Sequence, residues 1–111
     1  MSKKITKVQV RDREVTIRLL TGPEYRKLHG NRSLAVYDTD LLTIDFQYGH
    51  LTKKIIAHEL FHAYVDTCYP SFMELNQEAM EELSCEVFGR HLDEMIANIS
   101  IILDYFNNKE N

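Results

Sequence analysis

The sequence has few of the features that mark secreted, disulfide-bonded or membrane proteins. It contains two cysteines, Cys68 and Cys85, and no Cys-x-x-Cys pair, so a disulfide framework is not expected. No run of about 18 apolar residues occurs, which argues against a membrane-spanning helix. Residues 1–10 are polar and basic and lack the apolar segment of a secretory signal. These absences predict a protein of the reducing cytoplasm with no membrane partner.

Length and composition predict one globular domain over residues 1–111. The chain has a mass of 13.0 kDa, enough to bury one modest core and too little for a catalytic domain beside a separate substrate domain. Hydrophobic residues make up 44% and charged residues 27%, which is typical of folded proteins and argues against disorder.

The charge distribution is uneven along the chain. The net charge is −4, which makes nucleic acid an improbable partner. Residues 1–32 contain nine Lys or Arg and three Asp or Glu, whereas residues 33–111 contain four and fourteen. Because the basic residues alternate with apolar ones, we interpret them as part of a sheet that packs beside an acidic helix. A basic arm that binds nucleic acid is the weaker alternative.

The first half of the chain has the alternation of apolar and polar residues that is typical of short strands. The segments with this pattern are 7–20, which a break near Asp12 divides into a hairpin, 34–37, and 41–46. A turn at residues 38–40 is expected to join the last two, and residues 24–28 are expected to form one helical turn.

From Thr52 the spacing of apolar residues becomes helical. Thr52 is a suitable N-cap for a helix that is apolar on most faces, and Pro70 is expected to end it. A longer helix is predicted from Phe72 or Glu74 to about Phe106. The sequence thus predicts an α+β fold, with a small, mostly antiparallel sheet packed on the first long helix and a long C-terminal helix beside it.

The C-terminal helix has a continuous apolar stripe that is expected to face the core. Its members recur every three or four residues and are Cys85, Phe88, Leu92, Ile96, Ile99 and Leu103. Gly89 interrupts this helix, so we expect either close approach of another element or a bend there. The run of apolar residues at 99–106 could instead protrude and form a homodimer interface.

The most informative segment is His58-Glu59-Leu60-Phe61-His62. Residues four apart lie on one face of a helix, so both imidazoles can bind one metal ion, and Glu59, rotated by about 100°, can contact a water molecule. This H-E-x-x-H pattern is typical of zinc metallopeptidases, and a shuffled chain of this composition would contain it about 0.02 times. Because the helix is apolar, the three polar side chains are expected to be buried and to need a metal ion and water as partners. Hydrogen-bonded structural histidines are the alternative.

A catalytic zinc ion usually has three protein ligands, and the third is expected from the second long helix. No third histidine follows His62 at the metzincin spacing, so a carboxylate is the natural candidate. The spacing leaves five glutamates open: Glu74, Glu78, Glu81, Glu82 and Glu86.

The segment HELFHAY at 58–64, followed by ELSCEVFG at 82–89, resembles the ImmA/IrrE-like metallopeptidases, and especially their short phage and prophage members. In that family the third ligand is the glutamate that opens the second segment. The resemblance, which covers roughly residues 34–92, therefore implies a Zn²⁺ ion held by His58, His62 and Glu82, with Glu59 as the catalytic base. It also implies a repressor or another regulatory protein as the substrate.

The sequence departs from this family in two places. Cys85 stands where alanine is commoner, and the Leu-Leu-x-Pro ending of longer members is missing after Leu92. HExxHAY is also similar to SprT-like metalloproteases, which usually have a histidine as the third ligand. His91 would take that role here.

The expected activity is hydrolysis of a peptide bond in a protein or peptide substrate. Glu59 would accept the proton of a zinc-activated water molecule as the water attacks the scissile carbonyl. The substrate is expected to pair with an exposed edge strand at 41–46. Candidate oxyanion donors are Tyr37, Tyr64 and His91.

Asp66 and Cys85 lie near the predicted metal ligands in the sequence. Asp66, one turn after His62, could orient a ligand imidazole, and Cys85 is expected to be a small buried residue. The alternative is a metal-stabilised module that binds a protein partner without cleaving it. The small size of the chain favours such a module, whereas the presence of Glu59 favours catalysis.

Overall fold

The structure is a computed structural model that describes residues 4–68 and 77–109. In this part of the chain, four strands and three helices follow one another, which confirms the predicted α+β composition and the long C-terminal helix. Their bounds are β1 Lys4–Val10, β2 Arg13–Leu20, α1 Gly22–His29, β3 Ala35–Asp38, β4 Thr43–Gln47, α2 Lys53–Cys68 and α3 Gln77–Lys109.

The four strands form one mixed sheet in the order β1-β2-β4-β3. The pairs β1–β2 and β3–β4 are antiparallel hairpins, whereas β2 and β4 are parallel. A parallel pair needs a crossover, and α1 with β3 supplies it. The sheet is therefore mixed, with antiparallel pairing outside the central pair.

The prediction that residues 41–46 form an exposed edge was wrong. Strand β4 pairs with β2 on one side and with β3 on the other, so β1 and β3 are the edges. Residues Ile44, Asp45 and Phe46 are all buried, as expected of a strand with neighbours on both sides. Alternation in the sequence predicted the strand correctly, but it does not encode the order of the strands.

The predicted turns lie where the sequence placed them. Arg11 and Asp12 join β1 to β2, with Arg11 at φ 58° in the left-handed region. In the turn after β3, the Asp38 carboxylate accepts hydrogen bonds from the backbone N–H groups of Asp40 and Leu41. This arrangement is the Asx turn that aspartate favours.

One face of the sheet packs against α2 and α3 and forms the hydrophobic core. Alternate residues of the two central strands face the helices, and α2 contributes residues spaced three or four apart. These buried side chains are Val15, Ile17, Leu19, Ile44, Phe46, Ile56, Leu60, Ala63 and Tyr64. The predicted N-cap of α2 is confirmed, because the Thr52 hydroxyl accepts a hydrogen bond from the Ile55 N–H.

The opposite face of the sheet carries a buried charge network beside α1. The Asp45 carboxylate accepts two hydrogen bonds of 2.6 Å from the Arg18 guanidinium, and it lies 2.7 Å from His29 Nε2. Arg18 and Asp45 are register partners of β2 and β4. These hydrogen bonds raise the pKa of Arg18 above its usual value. Helix α1 is longer than the predicted single turn, because Thr21 and Glu24 form a capping box at its start.

The predicted stripe of α3 faces the core only in part, because Ile99 and Leu103 pack half-buried against it and the other four members do not. The side chains facing the core include Leu83, Val87, Met95, Asn98, Ile102 and Phe106. Cys85 is an exposed free thiol, and Phe88, Leu92 and Ile96 are 47%, 45% and 53% exposed. The helix carries two adjacent apolar rows, and the small sheet covers only one of them. Periodicity alone could not decide which row this would be.

The predictions about Gly89 and about the helix ends near Pro70 have different outcomes. A side chain at Gly89 would meet no atom within 4 Å, and α3 continues through this residue, so no close approach explains the glycine. Pro70, Phe72 and Glu74, at which helix ends were predicted, lie outside the described residues. Within residues 4–68 and 77–109, no helix is long and apolar enough to cross a membrane.

Candidate metal centre

Helix α2 places the two histidines of the motif on its outer side. Leu60, Ala63 and Tyr64 face the core and are fully buried, which turns His58 and His62 toward solvent. The expectation that all three polar residues are buried was therefore wrong for the histidines. The side chain of His58 is 68% exposed, whereas Glu59 is only 7% exposed.

The two imidazoles converge on one point in space. His58 Nε2 and His62 Nε2 are 3.2 Å apart, and the rings stand nearly perpendicular. Two nitrogens bound to one tetrahedral Zn²⁺ at 2.0–2.1 Å would be separated by about 3.3–3.4 Å. The pair therefore has the separation that a shared ion requires. A hydrogen bond between two neutral imidazoles fits the same distance and is the alternative.

The carboxylate of Glu59 lies beside the two imidazoles, on the buried side of the pair. Its Oε2 atom is 3.8 Å from His58 Nε2, too far for a direct hydrogen bond. The ligand atoms of His58, Glu59 and His62 all lie within 4.8 Å of one another. A carboxylate at this distance can reach a ligand or water molecule held at the imidazoles.

The structure does not bring Glu82 into this cluster. Glu82 is exposed on α3, as are Glu78, Glu81 and Glu86. Glu74 lies outside the described residues. His91 is half-buried, and its ring stacks on Tyr64 with centroids 5.5 Å apart. The identity of the third ligand therefore stays a prediction.

Two of the candidate oxyanion donors are hydrogen-bonded to carboxylates. The Tyr64 hydroxyl donates to Glu94 at 2.5 Å, and the Tyr37 hydroxyl donates to Asp66 at 2.7 Å. Burial raises the pKa of both hydroxyls, and the hydrogen bonds to the carboxylates raise them further. Both tyrosines thus stay protonated, with their donor hydrogens already used.

Asp66 serves a different purpose from the predicted one. Its Oδ2 atom accepts hydrogen bonds from the Tyr37 and Thr39 hydroxyls, both at 2.7 Å. These bonds fasten the end of β3 to the last turns of α2. Asp66 therefore ties the edge strand to the helix that carries the motif, instead of orienting a ligand imidazole.

A cleft runs from His58 and Glu59 to the start of the edge strand β3. Its volume is about 400 Å³. The lining residues are Arg32, Ser33, Leu34, Ala35, Lys54, Ile55, His58 and Glu59. Neither Arg32 nor Lys54 was predicted from the sequence to belong to a functional site. For Lys54 a signal existed, because it precedes His58 by four residues and so shares its helix face.

Searches of protein-family models, curated proteins and solved structures found no match to this chain. The resemblance to the ImmA/IrrE-like metallopeptidases thus stays a prediction, based on the two sequence segments that carry it. The proximity of the ligand atoms of His58, Glu59 and His62 would let them hold a metal ion, but it does not identify a family.

Proposed function

We propose that this protein is a zinc-dependent peptidase whose metal ligands are His58, His62 and Glu82 and whose catalytic base is Glu59. The observation that carries the proposal is the 3.2 Å separation of the two Nε2 atoms beside a buried carboxylate. Two neutral imidazoles and one carboxylate are a ligand set that zinc favours. A purely structural site would not need Glu59, whereas hydrolysis needs a base at this position.

The reaction is the addition of water across a peptide bond. Glu59 accepts a proton from the attacking water, whose oxygen bonds to the carbonyl carbon. Glu59 then returns the proton to the leaving nitrogen as the C–N bond breaks, which yields a carboxylic acid and an amine. When bound, a divalent cation supplies Lewis acidity to the water and to the carbonyl oxygen.

The edge strand β3 is the most suitable place for the substrate backbone. Its inner edge pairs with β4, and it ends the sheet on the side of the cleft. A peptide in extended conformation can add to such an edge through main-chain hydrogen bonds. Strand β3 thus takes the substrate-binding role that the sequence assigned to residues 41–46, which lie inside the sheet.

The proposal is tested by metal-dependent cleavage of a peptide library. Purified chain is stripped with chelator, reloaded with one equivalent of Zn²⁺, and incubated with a mixture of 14-residue peptides that is read by mass spectrometry. We expect defined cleavage products with zinc and a fall to background after chelation. Cleavage that is indifferent to chelation would contradict the proposal.

A metal-stabilised binding module is the second candidate function. The exposure of His58 and the position of Glu82 outside the cluster favour it, because an incomplete surface site could accept a ligand from a partner protein. In that case, zinc would bind without any peptide being cleaved in the library experiment, and a captured partner would remain intact.

Two predictions about the protein's surroundings remain part of the proposal. The cytoplasmic location rests on the sequence alone. The apolar run at 99–106 does not protrude, because Ile102 and Phe106 are buried in the core. A homodimer through α3 would instead use the exposed row of Phe88, Leu92 and Ile96, beside the open surface at Gly89. This row, with one apolar residue per helical turn, can pair with its own copy in antiparallel orientation.

A further inference from the structure

The cleft beside Glu59 has a cation on each of its two walls. Lys54 lies one helical turn before His58 on α2, and Arg32 lies in the segment that leads into β3. Both side chains are exposed. Among the described residues, the lysine and arginine side chains in ion pairs with carboxylates include Lys7, Arg18 and Arg90, and neither Arg32 nor Lys54 takes part in these pairs. Two positive charges, which pair with no carboxylate among residues 4–68 and 77–109, thus flank a cleft that Leu34, Ala35 and Ile55 also line.

The two walls run in the same direction, so the polarity of a peptide relative to β3 decides which of its ends lies at Arg32 and Lys54. At one end, Ala35 of β3 lines the cleft with Ile55 and Glu59 of α2. Beyond the other end of the cleft, the Tyr37 and Thr39 hydroxyls donate hydrogen bonds to Asp66. A peptide antiparallel to β3 therefore runs from the Asp66 end towards Arg32 and Lys54. Its residues on the C-terminal side of the scissile bond would approach the two cations.

Two carboxylates lie beyond the far end of the cleft, outside its lining. Asp38 closes β3 there, and Asp66 lies on the neighbouring turn of α2. A negative charge on the C-terminal side of the peptide would thus be attracted to Arg32 and Lys54 and would lie away from Asp38 and Asp66. Reversed binding would place the same charge against carboxylates.

We propose that Arg32 and Lys54 form a subsite for a carboxylate on the C-terminal side of the scissile bond. The proposal rests on the peptidase function proposed above and narrows its substrates to peptides with an acidic residue or a free C-terminus at this position. The aliphatic side chains of Leu34, Ala35 and Ile55 contact the stem of the bound residue, while the guanidinium and ammonium groups bind its carboxylate.

The experiment compares four peptides that differ only in the carboxylate. A sequence cleaved in the library is synthesised with Glu or Gln two residues beyond the scissile bond, each with an amidated C-terminus. A truncated Gln peptide is made with a free or amidated C-terminus at that position. These arms distinguish a side-chain carboxylate from a terminal one. kcat/KM is measured for the zinc-loaded chain and for R32Q/K54Q, with K53Q as the control, because Lys53 is a neighbouring cation that does not line this cleft.

We expect at least one carboxylate peptide to be cleaved about threefold to tenfold faster than its neutral partner. R32Q/K54Q should remove this preference, K53Q should keep it, and R32E/K54E should reverse it, so that the neutral peptide of each pair is cleaved faster than the carboxylate peptide. Equal cleavage of all four peptides by the wild-type chain would overturn the subsite while leaving the peptidase function intact. Fluorescence anisotropy of the labelled peptides adds a readout that needs no turnover. A binding preference that survives in R32Q/K54Q would also overturn the subsite.

Discussion

Replacing Glu59 with glutamine is expected to lower kcat/KM for peptide cleavage by about 10²- to 10⁴-fold, the usual contribution of a general base. Glutamine has nearly the same shape as glutamate, so it can occupy the same 7%-exposed position without leaving a cavity. It cannot accept the proton from water. The imidazole pair is unchanged, so zinc content and the unfolding midpoint should stay close to wild type.

The matched control is Glu14→Gln. Glu14 lies on β2 with an exposed side chain and pairs with Lys7 at 3.4 Å. The substitution therefore removes a glutamate carboxylate that has no proposed role in catalysis. We expect no change in kcat/KM. Steady-state kinetics with a cleaved library peptide, together with metal analysis of each preparation, provides the comparison. Full activity of Glu59→Gln at wild-type zinc content would remove the proposed base.

Replacing Asp45 with alanine is expected to lower the free energy of unfolding by about 3 kcal/mol. Asp45 is buried at 3% exposure, so its removal leaves the Arg18 guanidinium partly buried without its anion and the His29 ring without its hydrogen-bond partner. Losing one partner of a buried ion pair typically costs about 3–5 kcal/mol. Because a quarter of the Arg18 side chain is exposed, water screens part of this cost and the lower figure applies.

Urea unfolding monitored by circular dichroism measures this change. Glu14→Ala again serves as the control, because its ion pair with Lys7 is exposed and should contribute less than about 1 kcal/mol. A loss below about 1 kcal/mol for Asp45→Ala would mean that the Arg18–Asp45–His29 network does not hold the two central strands and α1 together.

The local parts of the fold could be read from the sequence. Strands followed from period-two alternation and helices from a period of three to four, because burial of one face imposes these spacings directly. The turn at Asp38 and the cap at Thr52 also depend only on neighbouring residues. The position of β4 inside the sheet could not be read, since strand order depends on a crossover and not on alternation.

The same division applies to the candidate site. His58, Glu59 and His62 were predicted together because one helical turn fixes their spacing, and the structure brings their ligand atoms within 4.8 Å. Glu82 and the exposed row at Phe88 depend on how α3 rotates and slides against the rest of the molecule. The spacing of apolar residues along α3 does not determine this placement, because the helix carries two apolar rows and either could face the core.

Whether His58 and His62 bind one zinc ion is tested most directly by crystals of the zinc-loaded chain, measured on both sides of the zinc absorption edge. We predict a single strong anomalous peak about 2.0–2.1 Å from the Nε2 atoms of both histidines, with a Glu82 oxygen as the third protein ligand. Another residue in the third position would reassign that ligand alone. A zinc peak away from the two imidazoles, or rings that point apart at full zinc loading, would contradict the metal centre and the peptidase mechanism built on it.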